Sequence, residues 1–82
     1  MYDDRATLKG TPSSVLRVPT TAATTIVTFF VDDTPCKVFD ENAEALLHWP
    51  PGNLVELRGY YEPSQRCGRE FIVVWLRLPE RE

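Results

Sequence analysis

His48, Cys36, Cys67 and the carboxylates of Glu41, Glu44 and Glu56 are the side chains of this sequence best suited to acid-base, nucleophilic or metal chemistry. Their spacing argues against each role. His48 stands beside Trp49 at the end of a helical stretch, where a cation or a cap on the last carbonyls is favourable, and no second group accompanies it. Cys67 lies next to Arg66 and near Arg69, which would favour a thiolate, but nothing ties it to a base or a resolving cysteine. Two cysteines this far apart make neither a zinc ribbon nor a disulfide framework. Both are read as reduced, Cys36 as a small core residue, with a bridge between them left open. The carboxylates are too scattered for a metal site or an acid-base pair, and no glycine-rich phosphate loop is present. The sequence therefore predicts no catalytic residue, cofactor or metal.

The elements around these residues read as strands. Ala6 to Arg17 (ATLKGTPSSVLR) forms a first strand interrupted by Gly10 and Pro12, which mark an edge or a bend. Thr20 to Thr25 is a loop of small polar residues. Thr25 to Val31 (TIVTFFV) is rich in the β-branched and aromatic residues that fit a pleated surface, so it is a second strand. Asp32 to Pro35 has turn chemistry, and Cys36 to Phe39 returns as a third strand to close a hairpin. Asp40 then offers an N-cap. Ala43, Leu46 and Leu47 recur at helical spacing, predicting a helix over about Glu41 to Trp49 that ends at Pro50-Pro51-Gly52. Leu54 to Glu62 is a fourth strand with Val55 and Leu57 on one face. Glu70 to Leu78 is a fifth, whose alternation sets Ile72, Val74, Leu76 and Leu78 against Phe71, Val73, Trp75 and Arg77.

With 82 residues the chain makes one domain with a modest core. Its 43% hydrophobic, 26% charged and 11% aromatic composition is that of a globular protein. A net charge of −3 and a pI near 5.1 leave no overall attraction for polyanions, so any nucleic-acid binding requires a local patch. The N-terminal sequence has no basic region followed by an apolar run, and no stretch has the length of a membrane span, which predicts a cytoplasmic protein without membrane partners.

Three strands, a helix and two strands would expose two edges and an apolar face if left as an open sheet. Closure into a five-stranded barrel buries both, and Gly10 and Gly59 stand where the first and fourth strands would bend. This order, with LKGTPSS in the first strand, TFFVDDTPCKVFDENAEAL from hairpin into helix, and PGNLVELRGYYE in the fourth, resembles the OB fold (oligonucleotide/oligosaccharide-binding). The likeness is to anticodon-binding domains and to small bacterial single-strand-binding and primosomal proteins, and it covers about Ala6 to Leu78. It implies an all-β barrel with one short helix between the third and fourth strands. Two features depart from the family: Asp33-Thr34-Pro35 replaces a glycine-containing turn, and the loop between the first two strands lacks basic residues.

The resemblance places a binding surface on the second and third strands and their flanking loops. It implies Val27, Phe29, Val31, Cys36 and Val38 facing inward, and Phe30, Lys37 and Phe39 facing outward. Bases stack on exposed rings and cations contact phosphate, so Phe30, Lys37 and Phe39, with Arg66 and Arg69 at the rim, are the candidate nucleic-acid-binding residues. A register shifted by one would instead bury both phenylalanines, Arg66 and Arg69 can be ordinary solvated arginines, and Asp32 and Asp33 would repel phosphate. Two functions follow. One is a non-enzymatic module binding single-stranded DNA or RNA. The other is a protein-interaction subunit that docks on a partner or on itself as a homo-oligomer.

Overall fold

The computed structural model describes residues 6–21, 23–50, 52–64 and 68–77. Its elements run β1 (Ala6–Gly10), β2 (Ser13–Val18), β3 (Ile26–Val31), β4 (Thr34–Phe39), α1 (Asp40–Leu47), β5 (Val55–Ser64) and β6 (Gly68–Arg77). The strands form one sheet in the order β1-β5-β6-β4-β3-β2. β4 and β6 run parallel, and the other neighbours are antiparallel. The chain is mostly β with one short helix, as expected, but its strands pair as six in an open sheet and not as five in a closed one.

The extra strand arises where the first strand was expected to be continuous. Pro12 has no N–H to give a ladder, and the chain leaves the sheet at Thr11 and Pro12. β1 pairs with β5 while β2 pairs with β3, so the two halves of one expected strand occupy opposite ends of the sheet. β2 is itself irregular. Its register slips between Ser13 and Leu16, and Ser14 takes a left-handed backbone with φ 53°.

The β3–β4 turn is tighter than the sequence suggests. Only Asp32 and Asp33 lie outside the strands, at φ 50° and 69°, the left-handed pair that a two-residue hairpin needs and that aspartate tolerates. Thr34 and Pro35 belong to β4, opposite Val31 and Phe30. The helix also starts differently from the expected N-cap at Asp40. Phe39 occupies that position with no side-chain cap, while Asp40 has φ 54° and donates its N–H to the Thr25 carbonyl at 2.7 Å. Asp40 and Glu41 still sit in the first turn, where the helix dipole favours them.

Period-two alternation decides the core. Val27, Phe29 and Val31 of β3, Cys36 and Val38 of β4, Val55 and Leu57 of β5, and Phe71 and Val73 of β6 are all buried, and Ala43 and Leu46 of α1 cover them. Tyr61 packs edge-on to Phe71 at 5.0 Å between centroids. Alternation then fails in β6. Arg58 pairs with Trp75 and Gly59 with Val73, which leaves Val74 unpaired as a bulge. Its free carbonyl accepts a hydrogen bond from Asn42 Nδ2 at 3.1 Å, so the helix holds the bulge. One extra residue reverses the phase: Leu76 packs against the core, whereas Trp75 and Arg77 turn outward, away from the side that Phe71 and Val73 fill. The face expected to join Phe71, Val73, Trp75 and Arg77 is therefore divided, and Leu78 lies outside the described residues.

Gly59 explains why the strands can cross so closely there. A Cβ built on it would overlap the Ile72 carbonyl oxygen and stand 2.9 Å from the Ile72 carbonyl carbon. Backbone cannot move aside as a side-chain end can. At Gly10 a Cβ would meet Val31 Cγ1 at 2.5 Å, so the end of β1 presses on the buried end of β3. Gly59→Ala and Gly59→Val should each lower stability by at least about 1 kcal/mol, the valine more, because steric overlap in a packed region forces strain or unpairing. Urea melts measure this, and an unchanged midpoint for Gly59→Ala would show that β5 and β6 do not cross at this separation.

Candidate nucleic-acid interface

The pairing of β3 with β4 fixes which side chains share the outer face. Ile26 lies opposite Phe39, Thr28 opposite Lys37, and Phe30 opposite Pro35, while the alternate rungs carry the buried residues. The outward assignment of Phe30, Lys37 and Phe39 thus agrees with the register. Phe30 is 41% exposed, and Lys37 and Phe39 are half-buried. Phe30 and Phe39 sit at opposite ends of the hairpin, four residues apart by register, or about 13 Å at the rise of a strand. They cannot clasp one ring between them, so each would meet a different base.

Beside Phe30, and not reaching Phe39, lies a concavity of about 180 Å³, lined by Val18, Thr28, Phe30, Pro35, Lys37 and Glu70 among others. Val18 comes from β2, Ser64 from β5 and Glu70 from β6, so five strands contribute. Lys37 Nζ is 3.6 Å from Glu70 Oε1, a contact created by the parallel register that sets Lys37 opposite Ile72. Lys37, the one cation of this face among the described residues, is accordingly neutralised by a mostly buried carboxylate. Leu16, two residues along β2 from Val18, is 65% exposed and extends the apolar part of the surface. No signal in the sequence linked Lys37 to Glu70, because their proximity depends on a crossover through the helix and β5.

The arginines expected at the rim divide. Arg69 follows the phase of Phe71 and lies over the Tyr61 ring at 4.6 Å, so it is not brought onto the side that Lys37 and Glu70 share. Arg66 and Cys67 lie outside the described residues. His48 is exposed at the helix end, and its Nδ1 donates to the Glu44 carbonyl at 2.9 Å, which agrees with a capping role. Glu44 also accepts from Thr25 Oγ1 at 3.0 Å, fastening the loop before β3 to the helix.

Cys36 lies directly beneath the concavity and is fully buried. Burial pushes its thiol up to about 12, with the nearby Glu70 charge adding to the rise and a backbone hydrogen bond from Val31 opposing it. Its Sγ is 3.4 Å from the Thr34 carbonyl, to which the S–H donates. Among the described residues no group of three His, Cys, Asp or Glu side chains could hold a metal ion, and no helix is long and apolar enough to cross a membrane. Compared with known proteins, the chain matches no family model and no curated relative.

The raised thiol predicts its own test. In a Cys67→Ser background, Cys36 should stay unmodified by a thiol reagent at pH 8 until the protein unfolds. A pKa raised on folding means that the unfolded chain releases the proton first. The stabilising effect of Cys36 over a Cys36→Ala variant is therefore complete below the ordinary thiol value of 9.0 and should shrink as pH rises toward about 12. Rapid native-state labelling would contradict the burial.

Proposed function

We propose that the chain is a single-stranded nucleic-acid-binding module of the OB type, acting by binding and not by catalysis. Three features support the barrel reading. β1 and β2 are joined by only Thr11 and Pro12, so they can be counted as two halves of one bent strand. With that counting the order becomes five strands, one of which borders both ends of the sheet. Gly10 lets the end of β1 approach Val31 of β3, drawing the sheet around its own core.

The observation that carries the binding reading is the exposed ring of Phe30 at the edge of the concavity over Thr28 and Lys37. A base stacked on that ring would gain about 1 to 3 kcal/mol without sequence selectivity, since every base has a flat face. Lys37 would have to exchange Glu70 for a phosphate. The electrostatic contribution is then small, and the salt dependence should be shallow. The same ion pair, together with the exposed Leu16, favours the second reading, a protein-interaction surface that is apolar and nearly neutral.

Titration with fluorescein-labelled single-stranded oligonucleotides at two salt concentrations separates the two. For the binding module, Phe30→Ala should weaken affinity by about 1 to 3 kcal/mol with the salt slope unchanged, because stacking releases no counterions. Glu70→Gln should tighten binding and steepen the slope by freeing Lys37, and Lys37→Ala should flatten it by up to about one unit. An absence of binding to any single strand at low salt, with light scattering showing a stable assembly that Leu16→Ser disrupts, would replace the nucleic-acid reading with the interaction module.

A further inference from the structure

A second aromatic and basic surface lies on strands that the hairpin does not include. The register sets Thr7 opposite Arg58 and Lys9 opposite Glu56 across β1 and β5, then Arg58 opposite Trp75 and Glu56 opposite Arg77 across β5 and β6. All six side chains therefore share one outer face. The Arg58 guanidinium lies 5.1 Å from the centroid of the Trp75 ring, and that of Arg77 lies 5.2 Å from it. Trp75 remains 37% exposed, and Lys9, Arg58 and Arg77 are exposed. This is the face to which the Val74 bulge redirects the end of β6.

Charge on this face opposes that of the molecule. Three cations surround one carboxylate, Glu56, which is buried to 8% exposure and held by Arg77 Nε at 3.3 Å, whereas the chain as a whole carries −3. Lys9 and Arg58 form no ion pair among the described residues. No carboxylate among the described residues holds Arg58 on Trp75, so its guanidinium can leave the ring and turn its donors to an anion. A cover for the sheet would need only the apolar parts of these side chains. A row of cations flanking an exposed indole is instead suited to a ligand that alternates negative charge with flat rings.

The geometry points to single-stranded nucleic acid as the occupant of this face, with a base displacing the Arg58 guanidinium to stack on Trp75 and backbone phosphates held by Lys9 and the displaced Arg58, while Glu56 fixes Arg77 against the ring. The inference does not rest on the hairpin groove, which meets β5 and β6 only at their opposite ends, at Ser64 and Glu70. Base stacking on the indole quenches its emission, giving a signal from this face alone once the other tryptophan is replaced. In the full chain carrying Trp49→Phe, a homothymidylate oligonucleotide should quench Trp75 emission saturably at low salt, and Phe30→Ala should leave that quenching in place. Trp75→Ala should weaken binding of the labelled oligonucleotide roughly tenfold or more. Arg58→Gln should flatten the salt slope by about one unit while leaving the melting temperature close to that of the parent. Trp75→Phe, which retains a ring, should recover most of the affinity lost in the alanine variant. Unmoved Trp75 emission at saturation, wild-type affinity in Trp75→Ala, or equal binding of polyglutamate would each overturn the assignment.

Discussion

The close crossing of β5 and β6 at Gly59 is the constraint on which the rest of this structure depends. Hydrogen atoms alone fit between Gly59 and the Ile72 carbonyl, and only a residue without Cβ permits that separation. Two twisted strands brought so near cannot keep an uninterrupted ladder, and the register jumps by one residue beside the crossing. Val74 is the residue left over. Asn42 then satisfies the orphaned carbonyl, which links the bulge to the helix that caps the core.

The change of phase at Val74 gives the molecule two outer surfaces with different chemistry. On the hairpin side, Phe30 and Leu16 are exposed around a cation already paired with Glu70, so stacking and apolar contact dominate. Over β1, β5 and β6 the same chain presents Trp75 between two arginines, with Lys9 nearby. Without the extra residue, continued alternation from Phe71 and Val73 would aim Trp75 and Arg77 into the core and leave Leu76 outside, exchanging a sound apolar contact for a buried guanidinium. Backbone geometry at one glycine thus protects the core and determines where positive charge collects on an acidic protein.

Much of this was legible in the residue pattern. Period-two alternation identified the inward residues of the hairpin, and the helix followed from Ala43, Leu46 and Leu47. Gly59 stands out because it interrupts a good strand; the pattern reads it as a bend for barrel closure, whereas the structure shows a close approach to Ile72 with the extra residue on the partner strand. What escaped the sequence depended on register and crossover. Pairing of Lys37 with Glu70 requires the parallel neighbours β4 and β6, which are separated by a helix and a strand in the chain. The bulge is invisible in FIVVWLR, since every residue there suits a strand and an unpaired valine has no signature. For the same reason plain alternation puts Trp75 and Arg77 on the face of Phe71. Pro12 marks an edge or a bend, but the pattern does not show that its two sides join opposite ends of the sheet.

Cross-strand proton contacts between β5 and β6 in solution test the central claim most directly. The expected NMR pattern links Gly59 with Val73 and Arg58 with Trp75, omits Val74 from the ladder, and brings the Asn42 side-chain amide close to Val74. A continuous ladder pairing Gly59 with Val74 and Arg58 with Trp75, with no Asn42 contact, would mean that no residue is extruded and that the outward placement of Trp75 and Arg77 has another cause.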